Sequence, residues 1–219
     1  MKPWKPPASA ATDGLAVACV VLHVAALLAG LSDRLAFAWG LVPGRLWAGA
    51  AASPGGLPPP VTLLSYAFVH GGLVHLALNL VFLVWIGRQI EWLLGAGRVL
   101  LLFAAGAVAG GLLEAVARPS SGVPVVGASG AVSALFATYV LLYARAPEAP
   151  ARILGVSLSD DTVRALRLAA LWIGLQLVLG AVLNRPGEPG IAVWAHVGGF
   201  LAGLAYGLGQ RRRILGRRS

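Results

Sequence analysis

A serine and three histidines, set inside otherwise apolar stretches, carry the chemistry available to this chain. They belong to four polar clusters at residues 70–79 (HGGLVHLALN), 87–95 (GRQIEWLLG), 127–130 (GASG) and 195–203 (AHVGGFLAG). Polar and ionisable groups are expensive in an apolar environment, so each needs a partner or a task. A serine hydroxyl is a poor nucleophile at its own pKa and becomes a good one beside a general base. Ser129 and His196 are the parts of such a couple. Gly127 and Gly130 flank Ser129 and let the chain turn tightly, with the serine expected at a helix amino terminus. There, unpaired backbone N–H groups and the positive end of the helix dipole can stabilise an oxyanion. His75 and Asn79 are four residues apart, so on a helix they share a face and can both point inward as donors. The chemistry is acyl transfer from an activated serine.

The elements that must position these groups follow from composition. Of the 219 residues, 58% are hydrophobic and 11% charged, and mean hydropathy is +0.81. A soluble domain of this size cannot hide so much apolar surface, so the bilayer is the solvent. Six apolar runs, at 15–30, 73–90, 99–117, 129–144, 166–183 and 191–208, are long enough for helices in or near a membrane. The expected fold is all-α and polytopic, one six-helix membrane domain over 15–209. A short cytoplasmic segment at 1–14 precedes it and a basic cytoplasmic tail at 210–219 follows. Gly199, Gly203 and Gly207 recur every four residues on the sixth run, a smooth face that can press against the fourth and bring His196 to Ser129.

The formal net charge is +9, and the placement of the basic residues decides what that means. With a cytoplasmic amino terminus, Lys2, Lys5, Arg88, Arg98, Arg145, Arg152, Arg164, Arg167, Arg211, Arg212, Arg213, Arg217 and Arg218 fall on one side. Arg34, Arg45, Arg118 and Arg185 fall on the other. This asymmetry follows the positive-inside rule and puts both termini in the cytoplasm. The arginines near the carboxy terminus then anchor to lipid headgroups, and no nucleic-acid partner is expected.

Helix length sets the depth of the polar groups. Ser129 lies 16 residues from Arg145, about 24 Å at helical rise, against a hydrocarbon core of about 30 Å. The same measure gives about 22 Å from Arg211 to His196 and about 20 Å from Arg88 to His75. All three residues come to one level in the outer half of the membrane.

Other residues read as structural. Cys19 is the single cysteine, an apolar filler in the first helix, and allows no intramolecular disulfide. His23 and His70 read as hydrogen-bonded structural histidines. Glu114 and Arg118, four apart, read as a local ion pair. Asp160 and Asp161 fall in a charged stretch, 145–167, expected as a solvated cytoplasmic loop rather than a metal site. Residues 31–61, with Phe37, Trp39 and Trp47, are expected to form an outward loop in the headgroup layer. Lys2 and Lys5 before the first run resemble a signal peptide, but five further runs favour an uncleaved helix.

In this order the motifs resemble those of rhomboid intramembrane serine proteases. The HxxxN pattern stands as His75 and Asn79, GxxxExxxG as Gly87, Glu91 and Gly95, GxSG as Gly127, Ser129 and Gly130, and AHxxGxxxG as Ala195, His196, Gly199 and Gly203. The resemblance covers about 61–209. It implies a six-transmembrane-helix rhomboid-like bundle and an intramembrane serine endopeptidase with a Ser129/His196 dyad lacking an aspartate. It also implies an oxyanion hole from the Ser129 amide, His75 and Asn79, and structural roles for His70, Glu91, Gly127, Gly130, Gly199 and Gly203. The implied substrates are transmembrane segments of membrane proteins, with no metal and no cofactor. The first loop would support the core, the fifth helix would move as a lateral gate, and the 185–190 loop would act as a lid. Many members carry a Tyr or Phe one turn after the serine, stacked on the catalytic histidine. This chain has Ser133 there, which leaves His196 less firmly oriented unless Trp194 or another ring compensates.

Two other readings stay open at this stage: an inactive rhomboid-like protein that binds or escorts membrane proteins, and a small transporter. The first usually lacks the serine or histidine, and the second usually shows broken-helix pairs and two-half symmetry. The expected location is a bacterial plasma membrane, since no organelle-targeting segment is evident.

Overall fold

The computed structural model describes residues 9–48, 55–143, 151–153, 156–158, 160–183 and 190–215. The described elements are helical apart from one antiparallel ribbon. In chain order they are α1 (Ala10–Leu28), α2 (Ser32–Trp39), α3 (Pro43–Ala48), α4 (Pro59–Ser65) with a 3-10 turn (Tyr66–Phe68), α5 (Leu73–Leu94), α6 (Ala96–Ala117), α7 (Ser129–Tyr143), β1 (Ala151–Ile153), β2 (Val156–Leu158), α8 (Asp160–Leu183) and α9 (Val193–Leu215). The six apolar runs coincide with α1 and α5 to α9. Of these, α1, α5 and α6 are long and apolar enough to cross a membrane. At 15 residues α7 is about 22 Å long, shorter than the hydrocarbon core.

Element ends depart from the apolar runs where polar groups find partners. Helix α1 begins at Ala10, before residue 15, because Glu91 of α5 accepts the amides of Ala11 (3.0 Å) and Thr12 (2.8 Å) and the Thr12 hydroxyl (2.7 Å). A carboxylate at a helix start satisfies donors that have no partner within the helix. The stretch 145–167, expected as a loop, instead contains the β1–β2 ribbon and the start of α8. Asp160 and Asp161 open that helix, where acidic residues are favoured. Helix α9 continues to Leu215 through Arg211, Arg212 and Arg213, drawn above as a tail, because arginine is a good helix former. Residues 31–61 include α2, α3 and the start of α4 rather than a plain loop. Apart from Gly190, the 185–190 lid lies outside the described residues, as do Lys2, Lys5, Arg145, Arg217 and Arg218.

Small residues set the packing of α6, α7 and α9. A methyl group on Gly199 would collide with the Gly130 carbonyl, and one on Gly203 with the Ala134 carbonyl. Gly106 of α6 faces Ala131 and Ala134 of α7, and Gly198 faces Ala109 of α6. Backbones this close maximise dispersion contact, which drives helix association where lipid competes equally for apolar surface. The Thr138 hydroxyl donates to the Gly203 carbonyl across the same seam (2.9 Å). At the hub the Tyr66 hydroxyl donates to the Ala107 carbonyl (2.9 Å), and Tyr66 is 1% exposed.

Each end of the bundle is tied by polar contacts. At one end, Arg88 pairs with Asp13 at 2.9 Å and Arg98 donates to Gln210 at 2.5 Å. At the other, Leu41 and Val125 exchange backbone hydrogen bonds of 3.0 and 2.7 Å, and the Trp47 indole donates to the Ala115 carbonyl (3.1 Å). The segment before Ser129 is thereby held by the segment between α2 and α3.

Gly199→Val should destabilise the protein by about 1–3 kcal/mol or more through overpacking. Gly209→Ala, with open space around the new methyl, should be neutral or slightly stabilising; thermal unfolding in detergent compares the two. Glu91→Ala strands the amides of Ala11 and Thr12 and should cost on the order of 1–3 kcal/mol. Asp13→Ala, which breaks the exposed pair with Arg88 and a hydrogen bond from the Ser9 hydroxyl, should cost about 1 kcal/mol or less. Equal losses in the last two variants would contradict the capping role of Glu91.

Candidate active site

Ser129 is the first residue of α7, and Gly127 two residues earlier adopts φ +117°, a conformation that side chains rarely take. This turn, secured by the Gly127 amide donating to the Tyr66 carbonyl (2.9 Å), swings the chain into the helix. His196 lies in the first turns of α9, where Gly199 and Gly203 draw α9 onto α7. The outcome is a hydrogen bond of 2.7 Å between Ser129 Oγ and His196 Nε2.

The other imidazole nitrogen settles who donates. His196 Nδ1 lies 2.8 Å from Oε1 of Gln176, on α8. An amide oxygen only accepts, so Nδ1 carries a proton, and in the neutral ring Nε2 then offers its lone pair to the Ser129 hydroxyl. A neutral imidazole in this tautomer is what a general base needs before attack.

His75 and Asn79 approach the same turn from α5. The His75 Nε2 atom and, further off, Asn79 Nδ2 both lie near the space that a side chain on Gly127 would occupy. The Gly71 amide donates to His75 Nδ1 (3.4 Å), leaving Nε2 as the protonated nitrogen. Asn79 Nδ2 donates to the His75 carbonyl (2.9 Å) and keeps a second N–H. Two side-chain donors thus flank the loop that delivers Ser129, whose own amide heads a helix. His70 packs edge-on against the His75 ring at 5.4 Å, with Nδ1 3.3 Å from the Phe68 carbonyl.

Glu91, Gly87 and Gly95 lie away from this cluster. Glu91 and Gly87 join α5 to α1, since a side chain on Gly87 would meet Thr12. Gly95, at φ +90°, makes the turn between α5 and α6. Gly130 meets the Tyr66 hydroxyl. Cys19 and His23 are buried in α1. Ser133 is buried too, but its hydroxyl donates to the Ser129 carbonyl (2.8 Å) and brings no ring to His196. Trp194 is 38% exposed. The group that holds His196 is an amide.

Sequence reasoning missed two residues. Gln176 is the single polar residue, the Trp172 indole apart, between Arg167 and the end of α8, and that isolation was the available signal. Glu114 pairs with Arg118 as the spacing predicts, at 3.8 Å with the arginine exposed, but that is not its only contact. The buried Glu114 carboxylate accepts the Ala195 amide at 3.0 Å, capping α9 one residue before His196.

A sequence model of the rhomboid domain matches residues 59–213, a region that holds every residue of this cluster. Human Rhomboid-related protein 3 is 33% identical over 152 residues, covering 66% of this chain and 35% of its own length. RHOMBOID-like protein 4 of Arabidopsis thaliana is 32% identical over 149 residues, with 66% and 32% covered. Rhomboid protease GlpG of Yersinia enterocolitica is 33% identical over 143 residues, with 64% and 45% covered. The chain therefore spans about a third to just under a half of the length of these relatives. Since the matched domain takes in most of the chain, from α4 to α9, this protein belongs to the rhomboid family.

Proposed function

We propose that the protein is an intramembrane serine endopeptidase that cleaves transmembrane segments of membrane proteins. The observation that carries this reading is the 2.7 Å contact between Ser129 Oγ and His196 Nε2, in a tautomer ready to accept a proton. Ser129 attacks the peptide carbonyl carbon while its proton passes to His196 Nε2. The carbonyl electrons move onto oxygen, which the Ser129 amide and the side chains of His75 and Asn79 receive. His196 then returns the proton to the leaving amine, and water hydrolyses the ester. A membrane helix hides its carbonyls in its own hydrogen bonds, so the substrate has to unwind near the cleaved bond. Small or helix-breaking residues are the expected neighbours of that bond.

In this proposal the six helices form one membrane domain over 15–209, with Arg88, Arg98, Arg164 and Arg167 on the cytoplasmic side. The membrane is the plasma membrane of a bacterium. Ser129 then sits below the outer surface, because α7 is too short to reach it. The name of the Yersinia relative, a rhomboid protease, agrees with this activity.

Detergent-solubilised protein should be labelled by a fluorophosphonate serine probe, and Ser129→Ala and His196→Ala should both abolish labelling. Cleavage of a generic transmembrane substrate should fall on the order of 10⁶-fold in the serine variant. It should fall about 10²- to 10³-fold on loss of one oxyanion donor, tested by His75→Ala or Asn79→Ala. A chelator should leave turnover unchanged. A folded wild type that neither reacts with the probe nor cleaves would instead point to a scaffold that binds membrane proteins.

A further inference from the structure

We propose that Gln176 is a positioning residue for the Ser129–His196 couple, holding the imidazole in the Nδ1–H tautomer from across the α8–α9 interface. The inference rests on the reading of Ser129 and His196 as a catalytic couple, and extends it to a residue on a third helix.

Gln176 is 3% exposed. It closes a stripe on α8 made of Ala165, Leu168, Ala169 and Trp172, which packs against α7 and α9. An apolar side chain would suit that position, and a buried amide is costly without a partner. Its Oε1 spends that polarity on one atom, Nδ1 of His196, at 2.8 Å.

One turn away, an aromatic cluster sets the register of this contact. Trp172 stacks on Phe200 at 5.2 Å with planes 11° apart. Phe136 of α7 packs on Trp172 at 5.1 Å and on Phe200 at 6.3 Å. Trp172 precedes Gln176 by four residues and Phe200 follows His196 by four, so in these antiparallel helices the ring pair and the polar pair are successive rungs. The same three helices contribute to both layers: Ser129, Gln176 and His196 in one, Phe136, Trp172 and Phe200 in the other.

The chemistry favours an amide here. When Ser129 attacks, its proton moves to Nε2 and the ring becomes an imidazolium with both nitrogens protonated. The Gln176 oxygen faces the Nδ1–H and stabilises that charge through its dipole, without taking the proton. A carboxylate would do so more strongly, but would have to be carried as a buried charge in an apolar bundle. Ser133 supplies no ring to orient His196, and Gln176 supplies the orientation from the other side.

The test uses Gln176→Leu, which keeps the volume without the acceptor, and Gln176→Glu, which keeps the acceptor. Histidine ¹⁵N spectra of the full chain report the tautomer directly, with the His196 signals identified by their loss in His196→Ala. Wild type and Gln176→Glu should show a protonated Nδ1 and an unprotonated Nε2, whereas Gln176→Leu should show a mixture of tautomers. Fluorophosphonate labelling and kcat should fall roughly ten- to a hundredfold in Gln176→Leu with KM unchanged. Both should recover in Gln176→Glu. A Leu variant that keeps the wild-type tautomer and rates overturns the proposal, as does a Glu variant that behaves like Leu at a pH where its carboxylate is ionised. The tautomer is read without turnover, so a wild type that fails to label would sink the protease reading while leaving this assignment separately testable.

Discussion

The closeness of Gly199 to the Gly130 carbonyl is the constraint on which the rest of the structure depends. Ser129 precedes one of these residues and His196 lies one turn before the other, so the approach of the two backbones fixes the reach between their side chains. Any side chain at position 199 would force α9 away from α7 and open the 2.7 Å contact. Gly203 and the Thr138 hydroxyl extend the same seam one turn further along α9, which keeps the helices from pivoting about a single point.

Around that seam two buried carboxylates place helix ends. Glu91 starts α1 and Glu114 starts α9, each by accepting backbone N–H groups from a helix distant in sequence. Tyr66 takes part at both levels. Its hydroxyl reaches the α6 backbone and its carbonyl receives the Gly127 amide, so a single residue links the packing hub to the turn that presents Ser129. Among the described residues two buried side-chain nitrogens, His70 Nε2 and the Trp172 indole nitrogen, have no hydrogen-bond partner.

The fold and the centre of the site were legible because they rest on local patterns. Apolar runs mark the six long helices, glycines every four residues mark the α9 face, and Ser129 between glycines marks a helix start. What could not be read depends on partners far away in the chain. Glu114 has an arginine four residues on, a local solution that the sequence makes obvious, yet the bond that matters reaches Ala195, which no spacing rule connects to it. Gln176 belongs to no motif, and its meaning appears only once α8 is laid against α9 in the register set by Trp172 and Phe200. The start of α8 was obscured by its charged first turns, which read as loop by hydropathy and as helix by their acidic opening.

A neutral amide behind His196 has an electrical consequence. Before the proposed reaction the serine, the neutral imidazole and the amide carry no formal charge. During the proposed attack an oxyanion and an imidazolium arise side by side, so the pair sums to zero. An electric field across the bilayer does work on net charge carried through it. A site that is uncharged at rest and internally balanced in between would give that field only the short dipole of the ion pair to act on.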